Sequence, residues 1–141
     1  MEKYRIVVCG GRRFNDYEEL KSTITNFLRQ RKIVLENVEI VSGHCQGADM
    51  LGERYAKEYG IKFTIFPADW ERYKRKAGPI RNKQMIDHIM QAENKAVIAF
   101  ISENSKGTKQ TVLLAKRVGI PVVETHYSVE ETGKIIIIDK T

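Results

Sequence analysis

Short apolar runs alternate along the chain with longer stretches in which apolar residues return every three or four positions. The first pattern marks buried strands, the second amphipathic helices. Tyr4-Arg5-Ile6-Val7-Val8-Cys9 is a run stopped by Gly10-Gly11, which predicts a buried strand. Tyr17, Leu20, Ile24, Phe27 and Leu28 then recur at helical spacing, so a helix is predicted to about Gln30, with Asp16 as its cap. Val38-Glu39-Ile40-Val41 predicts the second strand. The helix after it carries Ala48, Leu51, Tyr55, Ala56 and Tyr59 on one face and stops at Gly60. Phe63-Thr64-Ile65-Phe66, closed by Pro67, is the third strand.

The segment from Ala68 to Pro79 is polar and basic and reads as a connection. A third helix is predicted from near Ile80, burying Met85, Ile86, Ile89 and Met90. Ala96-Val97-Ile98-Ala99-Phe100-Ile101 is apolar on both faces, as a central strand is. A helix over Thr108–Val118 ends at Gly119, Pro121-Val122-Val123 begins a fifth strand, and Gly133–Asp139 forms a last one, at an edge or in a dimer contact. No internal repeat or linker interrupts the order. It predicts one α/β domain over residues 1–141, a Rossmann-like three-layer sandwich with a mainly parallel central sheet. Its first and fourth strands are expected side by side at the centre.

Composition narrows the class. Hydrophobic residues make up 42% and charged residues 30% of the chain, a globular balance. No apolar run is long enough to span a membrane, and the N-terminus reads directly into a strand without a signal-peptide pattern. Cys9 and Cys45 make no disulfide framework, so a reducing cytoplasm is the expected location. The net charge of +6 favours polyanionic ligands, nucleotides or nucleic acid. Much of it sits in Arg29-Gln30-Arg31-Lys32, read as a solvated surface, and in Arg72-Tyr73-Lys74-Arg75-Lys76. Beside the second cluster, Trp70 and Tyr73 are placed either to stack a base or to staple a long connection to the sheet.

Ligands of open α/β sheets sit beyond the carboxyl ends of the strands. Three such ends are rich in small residues: Gly10-Gly11-Arg12-Arg13, Ser42-Gly43-His44-Cys45-Gln46-Gly47-Ala48-Asp49, and Ser102-Glu103-Asn104-Ser105-Lys106-Gly107-Thr108. Glycine lets backbone amides approach a phosphate, and the following helix adds aligned donors. None of the loops has the spacing of a mononucleotide phosphate loop or of a dinucleotide fingerprint, which excludes an ordinary ATPase or dehydrogenase site.

The segments Gly10-Gly11-Arg12, Ser42-Gly43-x-x-x-Gly47-Ala48-Asp49, Phe66-Pro67-Ala68-Asp69-Trp70, Ala77-Gly78-Pro79-Ile80-Arg81-Asn82 with Met85, and Gly107-Thr108 occur in that order. Together they resemble the SLOG superfamily, which joins the Smf/DNA-processing proteins to the Lonely Guy phosphoribohydrolases. The match is closest to its small YspA-like, YpsA-related stand-alone branch, found in bacteria and phages. The resemblance runs to about Val123 and implies a Rossmann-like sheet that binds nucleotides or their derivatives. It implies a first glycine loop at Gly10 and Gly11, a second at Ser42, Gly43, Gly47 and Asp49, and a phosphate loop over Asn104, Ser105, Lys106, Gly107 and Thr108. Asn104 and Ser105 stand where that last loop commonly has glycines. Thr111 stands where the phosphoribohydrolases carry a glutamate that works on the ribose.

The candidate ligand-binding residues are therefore Gly10, Gly11, Arg12, Ser42, Gly43, Gly47, Ala48, Asp49, Arg81, Asn82, Ser105, Gly107 and Thr108; no catalytic residue is assigned. Arg81 suits a phosphate bidentately, and is expected on the rim of the site, where it contributes little to the core. Asn82 reads as a base contact or a helix cap, Arg12 as a phosphate clamp or an exposed side chain. Asp49 reads first as a favourable charge in a helix's opening turn, second as a partner for a ribose hydroxyl or loop amide. His44, Cys45 and Cys9 lack the spacing of a metal site, His88 and His126 read as ordinary surface or helix positions, and neither metal nor cofactor is expected.

Three functions fit. The first is a sensor or carrier of a nucleotide or nucleotide-derived ligand, the second a nucleotide-processing enzyme of phosphoribohydrolase type, the third single-stranded nucleic-acid binding. An apolar last strand makes a homodimer the expected assembly, and no membrane partner is expected.

Overall fold

A computed structural model describes residues 3–141. Six strands, β1 (Tyr4–Gly10), β2 (Val38–Ser42), β3 (Lys62–Ile65), β4 (Asn94–Ile101), β5 (Val122–Val129) and β6 (Ile135–Lys140), form one sheet in the order β3-β2-β1-β4-β5-β6. The first five are parallel and β6 is antiparallel to β5. β1 and β4 are neighbours from Tyr4↔Asn94 to Gly10↔Phe100, so the chain reverses its direction across the sheet between them.

Side chains alternate across β1, which explains why its run is apolar throughout. Ile6 and Val8 join Ile98 and Phe100 under α1 (Tyr17–Gln30) and α2 (Ala48–Tyr59). Val7 and Cys9 join Val97 and Ala99 under α4 (Ala77–Met90) and α5 (Lys106–Arg117), whose Met85, Ile89 and Val112 close that layer. The result is the three-layer sandwich the pattern predicts.

Local signals set most boundaries. The Asp16 carboxylate accepts from the Glu19 amide at 3.1 Å and caps α1. Gly60 ends α2 in the left-handed conformation, at φ 66°. The polar connection of residues 68–79 differs from the reading: it folds into a short helix α3 (Trp70–Tyr73) and a 3-10 turn (Lys74–Lys76), and α4 starts at Ala77, ahead of Ile80. Pro79 is tolerated there because a first-turn N–H would have no intrahelical acceptor. Met90, expected in the core, is 40% exposed at the last turn of α4. α5 starts at Lys106 rather than Thr108.

His88 is no ordinary surface residue. Its Nε2 lies 2.6 Å from the Glu39 carboxylate, which also accepts from Thr64 at 2.8 Å and faces Arg5 at 3.2 Å. This half-buried cluster ties α4 to β1, β2 and β3. The Arg29–Lys32 cluster ends α1, at the opposite end of the sheet from the carboxyl end of β1, with the Arg31 guanidinium 3.9 Å from the Phe27 ring. No helix among the described residues is long and apolar enough to cross a membrane.

Candidate functional site

A cleft of about 820 Å³ opens beyond the carboxyl ends of β1 and β4. Gly10 to Arg13 form one wall, α4 with Trp70 a second, and the loop into α5 a third; Tyr127 and Ile138 close it on the β5–β6 side.

The β1 loop is glycine for want of room. A Cβ on Gly10 would collide with Ala48 and the Phe100 carbonyl, and one on Gly11 with the Tyr127 hydroxyl and Ser105 Oγ. The Gly11 amide donates to Phe100 at 3.1 Å, continuing the ladder past the end of β1. Arg12 and Arg13 follow, exposed at the mouth.

The loop into α2 divides between two tasks. Cys45 and Asp49 line the cleft; Ser42, Gly43, Gly47 and Ala48 stand behind it. Ser42 donates to the buried Glu53 carboxylate at 2.8 Å and accepts from the His44 amide at 3.0 Å. Gly47, at φ 97°, lies against the backbone carbonyls of Gly11 and Arg12, where a side chain has neither space nor a relaxed backbone. Ala48 is fully buried against Gly10. The Asp49 side chain is buried in the cleft wall rather than displayed on the helix end, and accepts from the Cys45 amide at 3.4 Å. Burial pushes its carboxyl up to about 6, against the opposing pull of the Arg81 charge.

Arg81 is only 8% exposed, not a rim residue. Nη1 donates to the Gly43 carbonyl at 2.6 Å and Nε to Asn82 Oδ1 at 2.9 Å. Asn82 Nδ2 donates onward to Gln110 at 2.8 Å and to the Gly107 carbonyl at 3.3 Å. The pair staples α4 to the loop before α2 and to α5, while still lining the cleft. Buried backbone carbonyls need donors, and a guanidinium supplies several in fixed directions.

The α5 wall is the open one. Ser105 is the N-cap residue of α5, but its side chain makes no capping bond. Its Oγ accepts from the Ser102 amide at 3.0 Å instead. The first amides of a helix have no intrahelical acceptor, so those of Lys106, Gly107 and Thr108 stay free to meet a ligand in the cleft that these residues line. Beside them the Tyr127 hydroxyl, from β5, is buried next to Gly11 and Ser105 without a partner among the described residues. Nothing in the sequence pattern singles Tyr127 out; the only hint is the demand for glycine at position 11, which the tyrosine explains. Thr111 is buried and donates to the Gly107 carbonyl at 3.3 Å, so the cleft's acids are Asp49 and Glu103.

The histidines are engaged elsewhere: His44 with Glu53 at 2.9 Å, His126 with Glu124 at 3.0 Å. Among the described residues no group of three or more His, Cys, Asp or Glu is placed to hold a metal ion.

Residues 4–73, which include the first two loops of the cleft, match the model of the YspA, cpYpsA-related SLOG family. The chain belongs to this family. The SLOG chain is also similar to the Gene 61 protein of Mycobacterium phage D29, with 29% identity over 124 residues, covering 84% of this chain and 94% of the phage protein. Family membership points broadly to nucleotide-related binding or processing. In this SLOG chain the loop into α5 and the Arg81–Asn82 pair lie beyond the matched residues.

Proposed function

We propose that the chain binds a nucleotide or nucleotide-derived small molecule by its phosphate end, as a sensor or carrier. One observation carries this reading: the uncapped start of α5 and the unpartnered Tyr127 hydroxyl face the same cleft. Both offer donors that protein groups leave unused, and a helix start favours negative charge. Arg12, Arg13 and Lys106 add cations at the mouth. A volume of about 820 Å³ suits a ligand of nucleotide size. The reading includes a homodimer, and the free thiols Cys9 and Cys45 fit a reducing cytoplasm.

A second reading, turnover of phosphoribohydrolase type, is favoured by Asp49. A buried carboxyl held at about 6 inside a cleft is suited to exchanging a proton near neutral pH. Thr111 supplies no such group.

Thermal melts against nucleosides and their mono-, di- and triphosphates test the proposal. A ligand at 100 times its Kd stabilises the fold by about 2.7 kcal/mol. Phosphorylated ligands should stabilise and parent nucleosides should not; equal shifts, or none, would overturn it. Release of free base from a nucleoside monophosphate would move the assignment to the second reading.

A further inference from the structure

The positive surface does not stop at the cleft. From Trp70, which lines the cleft, the chain runs outward through α3 and the 3-10 turn and exposes Arg72, Lys74, Arg75 and Lys76. With Arg12, Arg13 and Lys106 at the mouth, this makes seven exposed cations. Among the described residues none of the seven has a carboxylate partner within 4.0 Å. Arg72 lies 5.1 Å from the Tyr73 ring, as Arg31 in the cluster far from the cleft lies 3.9 Å from that of Phe27.

Trp70 sets the rim apart from a solvated charge run, whereas the positive φ of Lys74 is shared by Lys32 of the distant cluster. Trp70 is 52% exposed although it borders the cleft, with its ring 3.5 Å from where a Cβ of Gly78 would lie. An indole left half in water at the mouth of a cavity is a surface on which a base stacks. Lys74 holds φ 54°, ψ −127°, a backbone conformation disfavoured for any residue but glycine. Strain of that kind persists where the turn is fixed by its surroundings. Asp69 fixes the start of the same turn by accepting from the Arg72 amide at 3.1 Å.

A single nucleotide in the cleft would leave Arg72, Lys74, Arg75 and Lys76 without anions. We propose that the occupant is the end of a single-stranded nucleic acid. Its terminal phosphate sits at the start of α5, its terminal base stacks on Trp70, and the following phosphates run along Arg72–Lys76. This rests on the phosphate reading of the cleft. A single strand fits because its terminal base is free to leave its neighbours and enter a cleft, whereas in a duplex it is paired.

Fluorescence anisotropy on the full chain tests it, with thymidine monophosphate as a competitor and oligothymidylates of increasing length, carrying a 5′-phosphate, a 3′-phosphate or both ends blocked. Affinity should rise with length for one of the two phosphorylated series and not for the blocked one. The combined variant Arg72→Glu, Lys74→Glu, Arg75→Glu should lose the gain from length and keep the monophosphate's affinity. It should also flatten the slope of log affinity against log salt by about 2. Trp70→Ala should weaken oligonucleotides by roughly tenfold. Monophosphate binding also verifies that the charge-reversed variant is folded, and an unchanged thermal midpoint does so for Trp70→Ala. If the monophosphate binds but oligonucleotides bind no tighter, the strand proposal fails and the cleft reading stands. If the monophosphate does not bind, both fail. Equal affinity for blocked ends, for duplex or for polyglutamate overturns the proposal as well.

Discussion

Arg81 Nη1 donates to the Gly43 carbonyl at 2.6 Å, joining α4 to a loop 38 residues earlier in the chain. On a rim the guanidinium would be dispensable to the fold. Buried, it satisfies one carbonyl directly and holds Asn82 toward α5. Arg81→Ala should therefore lower folding stability by about 1.5–3 kcal/mol, the range for a lost charged hydrogen bond. The check is a fall in the urea midpoint with an unchanged slope. Arg81→Lys, which has no planar fork, should recover only part of it.

Tyr127 offers the opposite signature. Its hydroxyl is buried without a partner among the described residues, so Tyr127→Phe should leave stability unchanged or raise it by about 1 kcal/mol. The same variant should weaken a phosphorylated ligand by about fivefold. Paired thermal melts and titration calorimetry check this. A loss of stability would show that the hydroxyl serves the fold.

Asp49 sets a pH dependence. Its folded value of about 6 lies above the ~3.9 of an unfolded aspartate. The folded chain therefore binds this proton more tightly. Its contribution to stability is fully present below about pH 4 and is lost as the pH rises through about 6. At pH 8 the ionised buried carboxylate costs on the order of 3 kcal/mol relative to the acid side. Asp49→Asn should be more stable than the parent at pH 8 and show a smaller gain, or none, near pH 4. Denaturant unfolding of both proteins across that range gives the difference directly.

Among the described residues β6 leaves its outer edge unpaired, with Ile136 37% and Ile138 63% exposed. Antiparallel pairing of β6 with β6 of a second copy would cover both. Sedimentation at micromolar concentration should give a dimer mass, and Ile138→Lys should give a monomer. A monomeric parent protein refutes the pairing.

Much of the sheet was legible because burial on both faces leaves a continuous apolar run, as in β1 and β4. The start of α4 was not. Gly78 and Pro79 look like helix breakers, and only the geometry of a first turn makes them acceptable. In the site, the glycine loops stood out, but composition cannot say what a glycine makes room for. At Gly47 the close neighbour is the backbone of Gly11 and Arg12, at Gly11 a tyrosine hydroxyl, at Gly43 the Arg81 guanidinium. A guanidinium likewise has the same donors for a carbonyl as for a phosphate, so Arg81 could not be told apart by type alone. The Glu39–His88 contact joins positions 49 residues apart, beyond any local pattern. Tyr127 belongs to no motif and became visible only through the atom it leaves unpaired.

Phe14 is 1% exposed, packed 4.6 Å from the Phe100 ring and 5.0 Å from that of Tyr127. It pins the loop that carries Arg12 and Arg13 to the sheet before any ligand arrives. Ordering a free loop costs about 1–2 kcal/mol per residue, and here folding has already met that cost. The consequence is kinetic. Capture should proceed at the speed with which the charged mouth draws a ligand in, without waiting for the backbone to organise, and differences between ligands should appear in how long each one stays.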